Sequence, residues 1–233
     1  MRFSISDEII RKYPGLNIAV VVAKGVDNSG ESGKVTGLLR DMEKEIRGKL
    51  EGQTLSEQPR IKAWRETYSS FGAKPKKYRC SVENLYRMVL DGIELRHISK
   101  LVDIYNYISL KHMVPMGGDD LDKVDGGITL KFAKGDEPFT ELNSEETKNP
   151  KEGEVIYADE KEVLCRRWNW RECDKSKMTE ATKNAAIVIE GLPPVTRDDV
   201  RMMAEELAAL IRENCGGEPE IYFLNAENPS ADI

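Results

Sequence analysis

The stretch LVDIYNYISLKHMVPMGGDDLDKVDGGI, residues 101–128, decides the fold. Leu101, Val102, Ile104, Tyr105 and Ile108 recur at helical spacing, which predicts a helix over Ser99–Ser109. Lys111–Val114 leads out of it, and from Pro115-Met116 the chain runs into a Gly-rich acidic loop reaching Gly127. On the N-terminal side the pattern is mainly helical: Val35–Leu50, Pro59–Tyr68, and Ser81–Asp91 with Ser81 as N-cap. On the C-terminal side it is β-rich from Gly126 to Glu190. Strands are predicted at Gly127–Ala133, at Glu154–Ala158 paired with Glu162–Arg167 as a hairpin, and at Ala185–Glu190. Helices first and strands later predict an α+β fold with layered sheet and helix rather than a doubly wound sheet.

Two segments frame this middle. Asn17–Gly25, NIAVVVAKG, is a β-branched run closed by glycine and reads as a buried strand. The Gly/Ser/Asn-rich loop Val26–Lys34 follows it and a helix follows the loop. It is not a Walker loop, because Gly33-Lys34 continues into Val35 and the first glycine position holds Asn28. At the other end Thr196 caps a helix through Asn214, with Asp199 three residues on, and Ile221–Leu224 is a last short strand. The divisions this suggests are an N-terminal strand/helix extension over 1–60, a central unit over 61–191, and a C-terminal helix and strand, 192–233, packing on the same domain.

The 233 residues carry 35 Lys+Arg against 41 Asp+Glu, a formal charge of −6, which argues against a general DNA coat and leaves room for a local basic face. The longest purely apolar run, Ile18–Ala23, is too short for a membrane span, and MRFSISDEII lacks the pattern of a signal peptide. Cys80, Cys165, Cys173 and Cys215 form no CxxC pair and only His97 and His112 are present, so no metal site and no cofactor are expected. Four unpaired thiols suit a cytoplasmic protein.

Two segments carry candidate chemistry. Cys165–Asp174, CRRWNWRECD, packs three guanidinium groups, two indoles and an amide into ten residues. That composition suits stacking on unpaired bases and gripping phosphates; cross-strand Trp–Arg packing in a hairpin is the other reading. In 101–128, Asn106 sits on an apolar helix beside flexible glycines, which can line a ligand pocket; taken by themselves, the residues favour the plainer reading of a helix cap and a solvated turn.

The pattern Val102-Asp103-x-x-Asn106-Tyr107, then Pro115-Met116, then Asp120-Leu121-Asp122-Lys123-Val124-x-Gly126-Gly127-Ile128, and finally Val188-Ile189-Glu190 resembles the B3/B4 editing module of the bacterial phenylalanyl-tRNA synthetase β subunit. Trp64, Tyr68, Phe71-Gly72, Lys74-Pro75 and Arg166–Arg171 are similar to freestanding proteins of this class, and the likeness spans about residues 61 to 190. It implies an α+β fold with stacked layers and hydrolysis of an amino acid wrongly esterified to tRNA. The synthetase module removes tyrosine from phenylalanine tRNA. Freestanding relatives act in trans, and removal of the arginine-like canavanine is one activity proposed for them. Such editing supplies discrimination that a single binding pocket cannot.

Carried over residue by residue, the likeness keeps the helix-motif amide as Asn106 and the acid at the strand end as Glu190, which in the synthetase recognises the side-chain head. The His after Pro-Met is Gly117 here, the Thr beside the motif amide is Tyr105, and a Gly-rich stretch is replaced by Trp168-Asn169-Trp170. These departures point away from tyrosine and leave no evident base. The implied chemistry places a water or the developing oxyanion on Asn106, with His112 as a substitute base one turn on. Asp119, Asp120 and Glu190 would bind an α-ammonium or a guanidinium-like head, beside Gly117, Gly118, Tyr105, Trp168 and Asn169. Misacylated tRNA is the implied partner, with Lys74, Lys76, Lys77 and Arg79 as one phosphate-binding cluster and Arg166, Arg167 and Arg171 as another. The expected function is trans-editing deacylation, with an arginine analogue as the preferred amino acid. A non-catalytic tRNA- or RNA-binding module is the alternative, and a free amino acid sensor is a third reading.

Overall fold

A computed structural model describes residues 1–233. Twelve strands and six helices follow in the order β1 (Arg2–Ile5), α1 (Asp7–Lys12), β2 (Asn17–Ala23), α2 (Gly33–Lys49), α3 (Pro59–Ser70), α4 (Ser81–Leu90), α5 (Lys100–His112), β3 (Met116–Asp120), β4 (Ile128–Phe132), β5 (Phe139–Thr140), β6 (Thr147–Lys148), β7 (Val155–Ala158), β8 (Val163–Arg166), β9 (Arg171–Glu172), β10 (Ala185–Gly191), α6 (Arg197–Cys215), β11 (Glu220–Leu224) and β12 (Ser230–Asp232). The class is α+β, as the order of patterns predicts.

Two sheets organise the chain. One has four strands in the order β11-β2-β10-β3, all antiparallel; the other has six, β12-β1-β4-β7-β8-β9, with β1 and β4 parallel. β2 is apolar on both faces and lies between β10 and β11, with every residue from Ile18 to Ala23 buried. A strand buried on both sides reads as a continuous apolar run, which is why this one is legible. β1 runs between β4 and β12, so the first sixty residues contribute an interior strand to each sheet.

α5 is a central helix packed by α2, α4, α6 and β3. Of Leu101–Leu110, only Asn106 is not buried. α6 covers β2, β10 and β11 and begins at a capping box: the Asp199 N–H donates to Thr196 Oγ1 (3.1 Å) and the Thr196 N–H to Asp199 Oδ2 (2.8 Å). The Gly/Ser/Asn-rich loop is pinned by Asn28, which accepts from the Leu101 N–H (2.8 Å) and donates to the Thr179 carbonyl (2.7 Å).

The sequence reading fails at two local features. The predicted acidic loop is, over Met116–Asp120, the strand β3, which pairs Gly117 with Val188 and Asp119 with Ala186 on β10. No β-branched residue marks it; partner β10 imposes the extended backbone. Ser81 is the first helical residue of α4 rather than its cap. Cys80 holds the cap position and the Ser81 hydroxyl is buried without a partner.

Candidate functional site

Glu190 lies one residue from the end of β10 and is 1% exposed. Three donors hold its carboxylate. Oε1 accepts from the Tyr157 hydroxyl and from the Trp168 indole Nε1, both at 2.6 Å, and Oε2 accepts from Asn169 Nδ2 at 2.7 Å. The Tyr68 hydroxyl donates to Asn169 Oδ1 (2.8 Å), which orients that amide. Burial pushes the Glu190 carboxyl up to about 7, against the three hydrogen bonds that favour the charged form.

The turn joining β8 to β9 builds this arrangement. Arg167 (φ 46°) and Trp168 (φ 69°) both take left-handed backbone, a conformation that costs on the order of 1–3 kcal/mol per non-glycine residue. The turn drives the Trp168 ring inward, where it is fully buried and meets the edges of Tyr13 (5.0 Å) and Trp64 (5.1 Å). Burial of that indole offsets the strain.

Glu190 opens onto a hollow of about 350 Å³ walled by Met116, Gly117, Gly118, Asp119, Tyr157, Trp168, Asn169, Glu172 and Val188, at the lower end of the small-ligand range of ~300–1,000 Å³. Gly117, Gly118, Trp168 and Asn169, expected beside the substrate, all line this hollow. Gly118 is required by packing: a Cβ there would lie 2.8 Å from the Ala186 carbonyl oxygen and 2.9 Å from Met178 Cε. Asp119 also faces the hollow; burial raises it to about 6 despite the hydrogen bond from the Ser176 hydroxyl.

Asn106 lines a different, adjoining hollow of about 270 Å³ with Tyr105, Lys77 and Arg79. Ser81, Met116, Trp170, Arg171 and Glu172 belong to both, so the amide and the carboxylate flank a common wall without lining one cavity. A further hollow of about 640 Å³, with Tyr105, Val102 and Met178, adjoins them through Gly118 and Glu172.

The structure keeps other candidates out. His112 lines none of these hollows: its Nε2 pairs with Glu206 Oε2 on α6 (2.8 Å) and its carbonyl accepts from Arg60. It is the last residue of α5, and the α5–α6 contact claims its ring. Asp120 is buried as the cap of the 3₁₀ turn Leu121–Lys123, accepting from the Asp122 N–H (3.1 Å) and the Thr182 hydroxyl (2.8 Å). Arg166 and Arg167 are buried and form no phosphate-binding face. Both pair with Glu154, Arg166 Nη2 at 2.9 Å and Arg167 Nη2 at 2.8 Å. The Arg167 guanidinium also stacks on Tyr78, 3.9 Å from the ring centre. The Arg–Trp segment is therefore a cavity wall, with the cross-strand packing of the plainer reading. Lys74, Lys76, Lys77 and Arg79 are exposed. Lys77 and Arg79 edge the Asn106 hollow, as does Arg171, which is half exposed and pairs with Glu141 at 3.2 Å; Lys74 and Lys76 face elsewhere.

Sequence reasoning missed Glu172, Tyr157 and Glu154. For the first two the hairpin register contained the signal, because Tyr157 pairs with Cys165 and Cys165 with Glu172, so Tyr157, Cys165 and Glu172 form one row across β7, β8 and β9. All three line the Glu190 hollow. No group of three or more His, Cys, Asp or Glu side chains is arranged to hold a metal ion, and no helix is long and apolar enough to cross a membrane.

A family model described as the B3/4 domain matches residues 63–216. The chain belongs to the B3/4 domain family. Its curated relatives include phenylalanine–tRNA ligase β subunits. That of Colwellia psychrerythraea is 45% identical over 69 residues, covering 30% of this chain and 8% of the relative. That of Francisella tularensis is 26% identical over 230 residues, covering 94% of this chain and 27% of the relative. Among solved structures, an N-terminal fragment of the phenylalanyl-tRNA synthetase β subunit from Pyrococcus horikoshii aligns with a TM-score of 0.48 and 14% identity, over 93% of this chain and 49% of that one. The B3/4 chain thus spans less than a third of the length of these curated relatives.

Proposed function

We propose that this B3/4 protein is a trans-acting deacylase that hydrolyses the ester of misacylated tRNA, and that its preferred noncognate amino acid carries a guanidinium-like head, as an arginine analogue does. The observation that carries this is the Glu190 carboxylate, fixed by Tyr157, Trp168 and Asn169 at the wall of an amino-acid-sized hollow. Oε2 has one protein donor and keeps a free lone pair for a ligand. Asp119 lines the same hollow, and a cation there would relieve the cost of two carboxylates held above their ordinary range by burial. Paired hydrogen bonds to a planar head group favour guanidinium over ammonium.

In this reading the side chain occupies the Glu190 hollow and the ester lies towards the shared wall. An aminoacyl ester is already activated, so positioned water suffices, with the Asn106 amide donating to the oxyanion as it forms. Lys77, Arg79 and Arg171 edge the Asn106 hollow and would take the phosphates of the tRNA end. Hydrolysis of aminoacyl-tRNA places the protein in the cytoplasm.

The test is to incubate purified protein with a panel of tRNAs charged with noncognate amino acids, including a guanidinium-bearing analogue, and to follow ester loss. Loss from the guanidinium-bearing member, abolished in Glu190→Gln, supports the reading; loss from no member defeats it. The exposed Lys77, Arg79 and Arg171 also suit a tRNA-binding module without turnover, which would give a salt-sensitive gel shift and an intact ester.

A further inference from the structure

Glu172 is the one residue that lines all three adjoining hollows: that of Glu190, that of Asn106, and the larger one beside Tyr105. It stands in β9 opposite Cys165, and its Oε1 lies 3.3 Å from where a Cβ at Gly117 would be. Any side chain at 117 would crowd the carboxylate; glycine leaves open space in front of it. The other acids of the Glu190 hollow are engaged. Glu190 accepts three hydrogen bonds, Asp119 accepts from Ser176, and Glu141 pairs with Arg171. The Glu172 carboxylate makes no hydrogen bond and no ion pair; burial, with the charge of Asp119 adding, raises it to about 7.

Building on the deacylase reading, we infer that Glu172 is the general base of the reaction, the carboxylate that takes a proton from the attacking water at the junction where side-chain hollow and amide hollow meet. The oxygen of that water bonds to the ester carbonyl carbon as the proton passes to Glu172. Asn106 faces the adjoining hollow and supplies its N–H to the oxyanion. The bond from the acyl carbon to the ribose oxygen then breaks, and Glu172 returns its proton to that oxygen. The products are the free amino acid and tRNA with an intact 3′ end; Glu172 ends as it began. A base at near-neutral pKa is ionised in useful fraction at cellular pH and still binds the proton it abstracts. Glu190 recognises and Glu172 reacts: two carboxylates in one hollow, separated in role by the donors that fix one in place and leave the other free.

The test uses the full chain and a tRNA ester that the wild-type protein hydrolyses. Glu172→Gln is expected to lower kcat/KM by about 10²–10⁴-fold, the usual contribution of a general base, through kcat with KM nearly unchanged and the melting temperature retained. Glu172→Ala, which leaves a gap, is expected to recover at least about tenfold on addition of formate or acetate, since a small carboxylate can replace the missing base. Glu172→Gln retaining wild-type kcat overturns the inference and leaves the deacylase reading standing. Loss of activity that no small carboxylate restores also overturns it, marking Glu172 as structural. A wild-type protein that hydrolyses no ester of the panel removes both.

Discussion

The Trp168 indole donates to Glu190 Oε1 at 2.6 Å, joining a strained turn between β8 and β9 to the end of β10. The bond works in both directions: it holds the carboxylate at the hollow, and the carboxylate supplies the acceptor that a fully buried indole needs. Trp168→Phe keeps an aromatic ring and removes the donor. The expected loss is about 1–3 kcal/mol of unfolding free energy at pH 8. It should shrink at pH 5.5, where Glu190 is largely protonated. Urea denaturation at the two pH values measures both.

Stability should fall as pH rises through neutrality. Glu190 and Glu172 titrate near 7 and Asp119 near 6 in the folded protein, all above their unfolded values of 4.5 and 3.8. The folded state therefore binds more protons than the unfolded chain between these limits. Its stabilisation from these groups is complete below about pH 4 and is lost as pH rises through 6 to 7. His97, raised by its bond to Asp103, acts in the same sense. Replacing the half-buried pair, Glu172→Gln with Asp119→Asn, should flatten the fall between pH 5.5 and 8 by on the order of 2 kcal/mol.

Glu154 is the shared ion-pair partner of two buried guanidinium groups, so Glu154→Ala should cost about 3–5 kcal/mol, because it leaves both charges buried without an acidic partner. Thermal melts decide it. A drop below about 1 kcal/mol would mean that the two arginines find water or another acid. Lys77→Ala and Arg79→Ala should leave stability nearly unchanged and instead reduce the salt dependence of tRNA binding, each by about 0.7–0.9 in the log–log slope.

His112→Ala tests whether the end of α5 takes part in chemistry. Its ring is bound to Glu206 and lines none of the three hollows. Deacylation should be unchanged and stability altered by no more than about 1 kcal/mol. A large fall in kcat would bring this histidine back to the reaction.

Gly118→Ala should be more damaging than its size suggests. The new methyl would lie 2.8 Å from the Ala186 carbonyl oxygen on the paired strand, so β3 must part from β10. A loss of about 1–3 kcal/mol is expected in denaturant titrations.

Helices and strands with strong periodicity were legible: α5, α6, β2 and β10 stand within a few residues of where their patterns put them. β3 was not, since Gly117-Gly118-Asp119-Asp120 has no strand propensity of its own and is extended only because β10 pairs with it. Asn106 stands out in the sequence as a polar group on an apolar helix, and Glu190 only through the B3/B4 likeness; the two line adjoining hollows. Arg166 and Arg167 misled. Their positive charge is visible in the chain, whereas the cancelling Glu154 is brought to them only when β7 and β8 fold back as a hairpin. Glu172 went unnoticed because its position depends on the register linking Tyr157, Cys165 and Glu172.

Deacylation as proposed requires Glu190 to receive the amino acid of a tRNA ester. Single-turnover deacylation of tRNA charged with a guanidinium-bearing analogue, wild type beside Glu190→Gln, measures this directly. The wild-type protein should release the amino acid and the variant should be slower by at least about 100-fold, the loss of a charge-assisted hydrogen bond at a buried carboxylate. Equal rates in the two proteins, or an ester that survives both, would contradict it.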